Sequence, residues 1–208
     1  MDQHYQYQRF VYDFTRKYFL LGRSHLVDNL KPEPDDRVLE IGCGTGRNLI
    51  NVAKRYNGVA LFGIDISHLM LQTARSSINR NEFTHRIRLA PCDATLFSGY
   101  DTFAISQFNR IFISFALSMI DDWENVVNVG VQHLAIGGQL HIVDFGDCDR
   151  FPSIARKPFF AFLRHYQVTP RSQLKVLCQR LANEHGLEMH YESLHRGYVS
   201  YAILTRGQ

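Results

Sequence analysis

The chain has 208 residues, 45% of them hydrophobic and 21% charged, with a formal net charge of +3 at pH 7. That is the size and balance of one globular domain able to bury a sizeable core. The charge is too small for a dedicated nucleic-acid binder, and no window approaches the roughly 18 consecutive apolar residues of a membrane span.

Four cysteines, Cys43, Cys92, Cys148 and Cys178, lie far apart without a C-x-x-C pair. They suggest neither a zinc site nor a disulfide framework. The opening stretch MDQHYQYQRF has no apolar signal-peptide core. A cytoplasmic location is expected, with peripheral contact at the inner membrane left open.

Residues 4 to about 29 read as a helix, because Tyr7, Phe10, Val11, Phe14, Tyr18 and Leu21 recur at spacings of three and four, with Gly22 a candidate break. KPEPDD, residues 31–36, is a loop. RVLEIG then reads as a buried strand, followed by a helix over 46–57. ALFGID (60–65) is a second strand, and Ser67 is placed to cap a helix over 68–79. A third strand spans 86–94 and leaves at Asp93; a fourth spans 108–117, before a helix over 122–135. GGQLHIVDF (137–145) is a fifth strand, entered through a Gly-Gly turn. Strands alternating with helices imply parallel crossovers, hence an α/β, Rossmann-like, doubly wound sheet with helices on both faces. Residues 187–206 break the rhythm with two strand-like runs joined at about His195 to Gly197, a hairpin that adds an antiparallel strand.

The stretch VLEIGCGTGRNLI places Gly42, Gly44 and Gly46 directly after the first strand, behind Glu40. This turn lies at the carboxyl edge of the sheet, where open α/β proteins bind ligands. A dinucleotide fingerprint needs its third glycine at position 47, where this chain has Arg47. A carboxylate beside the ligand is awkward for a pyrophosphate and suited to a cation. S-adenosylmethionine carries a sulfonium, an ammonium and no phosphate. Asp65 ends the second strand about twenty residues on, where a carboxylate accepts ribose hydroxyls. Asp93 ends the third strand beside Ala94, placed for the adenine amine.

These motifs, with GIDIS and PCDAT, resemble the cofactor motifs of class I S-adenosylmethionine-dependent methyltransferases over roughly residues 36–145. The resemblance implies a seven-stranded sheet, mostly parallel, with an antiparallel C-terminal strand. It also implies that Glu40, Gly42, Cys43 and Gly44 line the methionine portion, and that Asp65 and Ile66 hold the ribose and flank the base. Asp93 and Ala94 would bind adenine, and Ser114 would sit near the sulfonium. The segment YDFTRKYFLLGR (12–23) is similar to the betaine-lipid N-methyltransferases, which trimethylate diacylglyceryl-homoserine. Within the same chemistry, phosphatidylethanolamine or a quinone precursor stands as an alternative acceptor.

The expected organisation is a single domain: a helical lid over 1–30, a cofactor core over 31–145, and a substrate-side segment with the hairpin over 146–208. Methyl transfer to an amine asks mainly for alignment and exclusion of water. Aromatic faces attract a forming quaternary cation by about 0.5–2 kcal/mol each. Tyr12 and Tyr18 are therefore candidate catalytic residues, and Tyr7, Arg16, Lys17 and Arg23 candidate substrate ligands. The plainer alternative is that these tyrosines are core positions. Residues 150–171 interleave Arg150, Arg156, Lys157, Arg164 and Arg171 with phenylalanines and contain no acid, which suits contact with an anionic lipid surface. The alternative there is a helix that packs its phenylalanines on the core. No histidine pair has metal-ligand spacing, and no nucleic-acid partner is expected.

Overall fold

A computed structural model describes residues 20–165 and 168–207. Residues 1–19 of the proposed lid over 1–30, with Tyr7, Tyr12, Arg16, Lys17 and Tyr18, lie outside the described residues; of the rest, Leu26, Val27 and Leu30 are buried in the core. The described chain begins with α1 (Arg23–Leu30), entered through Gly22 in the left-handed region at φ 94°. There follow β1 (Arg37–Ile41), α2 (Arg47–Arg55), β2 (Ala60–Asp65), α3 (His68–Arg80) and β3 (Ile87–Pro91). Then come α4 (Gly99–Phe103), β4 (Phe108–Ser114), α5 (Trp123–Gln132) and β5 (Leu134–Phe145). The chain closes with α6 (Ser153–His165), α7 (Leu174–His185), β6 (Leu187–Leu194) and β7 (Val199–Arg206).

The seven strands form one sheet in the order β3-β2-β1-β4-β5-β7-β6. Strands β3 to β5 pair in parallel, and β7 runs antiparallel to both β5 and β6. The order reverses between β1 and β4, so a crevice opens at their carboxyl ends. Strands covered on both faces need side chains that are apolar on both sides. In β1, Val38 faces a core built with Leu26, Leu49, Leu71 and Leu163, whereas Leu39 and Ile41 face a second core with Phe103, Trp123, Val126 and Leu177. Helices α1, α2, α3 and α6 therefore cover one face, and α4, α5 and α7 the other. Each fully buried leucine contributes about 1.5–3 kcal/mol. Gly63 lets α2 lie close on β2, because a Cβ there would meet Leu49 Cδ1 at 2.6 Å.

Several boundaries differ from the sequence expectation. The third strand stops at Pro91, and Asp93 instead caps a 3₁₀ turn over Ala94–Leu96. The fourth stops at Ser114, because the chain turns through Phe115 at φ 53° into a 3₁₀ turn over Leu117–Met119. The fifth begins at Leu134 and runs through the glycine pair, with a register shift opposite Phe108 and Arg110. The expected Gly-Gly turn lies inside it: Gly137 sits at φ 73°, and the regular pairing with β4 resumes at Gln139. Helix α5 ends at Gln132 rather than near 135, and the short α4 was not foreseen. Ser67 does cap α3, its Oγ accepting from Met70 N at 3.3 Å. On α6, Phe159 and Phe160 pack against the core and Leu163 is buried, while Arg156, Lys157 and Arg164 stay exposed.

Candidate cofactor cleft

The glycine turn is fixed by the strand beside it. Gly42 N and Cys43 N both donate to Ile64 O at 2.9 Å. Gly42 has φ 74°, and a Cβ on it would meet Ala116 Cβ at 2.6 Å. Only glycine fits there, because both the backbone angle and the approach of the opposite wall exclude a side chain. Gly46 opens α2 in the left-handed conformation, leaving the first N–H groups of the helix pointing toward the turn.

Two cavities meet at this turn. The outer one is a cleft of about 340 Å³ whose lining includes Gly44, Asp65, Ile66, Asp93, Ala94 and Met119. The inner one is lined by Arg23, Glu40, Gly42, Cys43, Thr45, Arg47, Asn48 and Ser114. Gly42 lines both. The cofactor positions expected from sequence thus divide between two connected cavities: Glu40, Cys43 and Ser114 inside, Gly44, Asp65, Ile66, Asp93 and Ala94 outside. Arg23, offered by the sequence to a substrate carboxylate, lines the inner cavity.

Asp65 joins the two loops of the outer cleft. Its Oδ2 accepts from Gly44 N at 2.8 Å and its Oδ1 from Ser67 N at 2.9 Å. Each oxygen retains a lone pair for a further donor. Asp93 Oδ1 accepts from Thr95 N at 2.9 Å and Thr95 Oγ1 at 2.7 Å. These bonds hold its carboxyl below the usual carboxylate range and leave Oδ2 outside the turn.

The inner cavity is polar and small, about 20 Å³. Glu40 is buried, and Asn48 Nδ2 donates to its Oε1 at 2.7 Å. Asn48 Oδ1 and Ser114 Oγ are buried without a hydrogen-bond partner among the described residues. Such atoms cost about 1–3 kcal/mol each when nothing meets them, so the cavity suits a ligand with polar ends. The Cys43 thiol is pushed well up by burial and then by the neighbouring Glu40 and Asp65 carboxylates. It is a neutral packing group rather than a nucleophile.

The far wall of the outer cleft has no motif that sequence reading detected. It consists of Phe115, Ala116, Met119 and Ile120, on the loop after β4. Asn48, in the first turn of α2, was also missed because no motif marks it. Among the described residues, no group of three histidines, cysteines or acids is arranged to hold a metal ion.

Comparison with known proteins agrees with this geometry. A family model described as a methyltransferase domain matches residues 38–138. Sequence relatives of the chain are themselves methyltransferases. The chain is 27% identical over 130 residues to a demethylmenaquinone methyltransferase of Bacteroides fragilis, covering 62% of this chain and 51% of that one. It is 32% identical over 119 residues to a phosphatidylethanolamine N-methyltransferase of Cereibacter sphaeroides, covering 57% and 55%. The chain thus spans about half the length of these relatives. In fold it is similar to phosphoethanolamine N-methyltransferase 2 of Haemonchus contortus, solved with phosphomonomethylethanolamine and S-adenosylhomocysteine. The TM-score is 0.70 at 16% identity, over 90% of this chain and 53% of that one.

Proposed function

We propose that the chain is an S-adenosylmethionine-dependent N-methyltransferase acting on the amino group of a polar lipid. The observation that carries this reading is the pair of cavities meeting at Gly42, one sized for a nucleoside and one polar and buried. The adenosine lies in the outer cleft, its ribose on Asp65 and Ile66 and its base beside Asp93 and Ala94. The amino-acid end points toward the mouth of the inner cavity, where Arg23 offers a cation to its carboxylate while Asn48 Oδ1 and the Glu40 carboxylate offer acceptors to its ammonium. The sulfonium then falls at Gly42, near Ser114.

In the reaction, the acceptor nitrogen lone pair forms the C–N bond as the C–S bond breaks and its electron pair returns to sulfur. The amine proton leaves to solvent. The protein's part is to align the two and exclude water. The roles proposed for Tyr12 and Tyr18 toward the developing cation, and for Tyr7, Arg16 and Lys17 toward the acceptor, rest on the sequence of the lid alone.

A lipid acceptor is supported by the cleft rim. Ile66, Leu96 and Met119 are 70%, 80% and 45% exposed, on three successive loops at the carboxyl edge of the sheet. On α6 the residues 154, 157, 161 and 164 share an outward stripe, with Ile154 85% exposed among Lys157 and Arg164. This stripe fits an anionic membrane surface. No helix among the described residues is long and apolar enough to cross a membrane, so the contact proposed is peripheral. Resemblance at residues 12–23 favours diacylglyceryl-homoserine as acceptor. A second reading, C-methylation of a quinone precursor, is favoured by the likeness to demethylmenaquinone methyltransferases. It needs a base at the acceptor carbon, and the carboxylates among the described residues lining the two cavities are Glu40, Asp65 and Asp93, all given above to the cofactor.

The deciding experiment is incubation with methyl-labelled S-adenosylmethionine and total lipid extract, read by mass spectrometry. Label on the nitrogen of a diacyl lipid is expected. Label confined to a quinone ring favours the second reading, and label in soluble molecules or RNA alone overturns the lipid assignment.

A further inference from the structure

The wall of the outer cleft opposite Asp65 is a strained loop held from outside. Phe115 sits at φ 53°, a left-handed conformation that a bulky residue keeps only where its surroundings impose it. Its N–H donates to Val143 O at 2.8 Å, and its ring meets that of Phe145 at 4.9 Å. Beyond it, residues 116–120 turn tightly, with Met119 N donating to Ala116 O at 3.0 Å and Ile120 N to Leu117 O at 3.2 Å. This turn presents Ala116, Met119 and Ile120 to the cleft, and Ala116 abuts Gly42.

Two side chains from later in the sequence pin the turn. The Asp144 carboxylate, at the end of β5, accepts from Ser118 N at 3.1 Å and from Phe145 N at 2.7 Å. Arg171 grips it from the other side: Nε donates to Leu117 O at 3.0 Å and Nη2 to Ile120 O at 2.6 Å. The guanidinium lies 5.8 Å from the centroid of the Trp123 ring, which limits its own freedom. Next to it, Thr169 N donates to Ser118 O at 2.8 Å. Both ends and the middle of the turn are therefore tied to residues 169–171, the segment that follows α6.

We propose that Arg171 and Asp144 are positioning residues: together they set the cofactor-facing wall at residues 115–120 and bind it to the segment that follows α6. The inference rests on the outer cleft being the cofactor site. A planar guanidinium can bridge two carbonyls on opposite sides of one turn, whereas a lysine ammonium, a compact point donor, cannot hold both in the same geometry. With the clamp released, Phe115 can leave its strained conformation and Ala116 can move away from Gly42. The cleft then widens at the point where the two cavities meet. Because Arg171 and Thr169 lie on one segment, a displacement of that segment would be passed to the cofactor wall.

The test compares wild type with Arg171→Ala, Arg171→Lys and Asp144→Asn, at a temperature where circular dichroism shows each to be folded. Calorimetry gives the affinity for S-adenosylhomocysteine, and amide hydrogen exchange is followed at Met119 and Ile120. Arg171→Ala is expected to weaken binding about tenfold, the scale of losing two charge-assisted bonds shared with the fold. Exchange at both amides should rise in step. Arg171→Lys should recover melting temperature but not affinity, and guanidinium ion at tens of millimolar should rescue the alanine variant and not the lysine one. If Arg171→Ala does not fold, the lysine variant carries the test, because its charge is kept and only the fork is lost. Affinities within twofold of wild type with unchanged exchange would overturn the proposal, even if melting temperatures fell. Failure of the wild type to bind S-adenosylhomocysteine would instead overturn the cofactor reading. The exchange comparison needs no ligand and would still decide whether the clamp holds the wall.

Discussion

Replacing Asp65 with asparagine tests the ribose assignment with little change of shape. In the folded chain both carboxylate oxygens are already engaged, Oδ2 by Gly44 N at 2.8 Å and Oδ1 by Ser67 N at 2.9 Å. An asparagine keeps one acceptor and turns an NH₂ toward the other amide, so one backbone donor loses its partner at a cost of about 1–3 kcal/mol in stability. The affinity effect is separate. If the ribose hydroxyls donate to the same carboxylate, loss of the charge weakens cofactor binding by about 1–3 kcal/mol, roughly 5- to 150-fold in Kd. Asp65→Ala should fall in the same range and additionally loosen both loops. Calorimetry with S-adenosylhomocysteine, paired with thermal melting of the free protein, separates the two effects. A lowered melting temperature with unchanged Kd would mean that Asp65 only ties the loops and that the ribose lies elsewhere.

Gly42→Ala should weaken S-adenosylhomocysteine binding at least tenfold and destabilise the fold by about 1–3 kcal/mol, since its Cβ would meet Ala116 Cβ at 2.6 Å in a positive-φ backbone; denaturant melts and calorimetry check both. Burial raises the Asp144 carboxyl from 3.8 to about 6. The native state then binds the extra proton, and the group's contribution to stability is present at about pH 4 and lost as pH rises through 6. Relative to the non-titrating Asp144→Asn, wild type should lose about 2–3 kcal/mol across that window, measured by urea unfolding at a series of pH values. His141 is buried, holds Tyr201 Oη at 2.8 Å, and is lowered to about 3, mainly by burial and then by Arg110. Its share of stability is present above pH 6.5 and lost as pH falls toward 3, so His141→Phe should flatten the acid limb of the same curve. Cys43 and Cys178, buried with thiols raised by burial, should resist a thiol reagent in the native protein while Cys92 reacts; labelling followed by peptide mapping reads this, and rapid native labelling of Cys43 would contradict the neutral packing role.

The parts of the fold that depend on short-range pattern were legible in the sequence. Strand β2 matches its expected bounds, Ser67 caps α3, and the terminal hairpin forms with its turn at His195 to Gly197. Apolar runs ending in acids signalled the carboxyl edge because parallel strands buried on both faces leave few places for a charge. What was not legible depends on pairing between distant segments. The loop after β4 reads as more strand because Phe115, Ala116 and Leu117 are apolar, and bonds from distant residues, among them Asp144, Arg171 and Thr169, turn it into a cleft wall. Arg171 counted simply as one of a run of cations, and Asn48 carried no motif. For α6, the phenylalanine-rich pattern could not distinguish a membrane face from a core face. The fold places Phe159, Phe160 and Leu163 inward and leaves the cations outside.

The most direct measurement is a crystal structure of the chain soaked with S-adenosylhomocysteine. The sulfur is expected at Gly42, the amino-acid end beside Arg23, Glu40 and Asn48, the ribose hydroxyls on Asp65, and the adenine beside Asp93 and Ala94. Density for the ligand away from these residues, or the same cleft filled by a pyrophosphate-bearing dinucleotide under matched conditions, would contradict it.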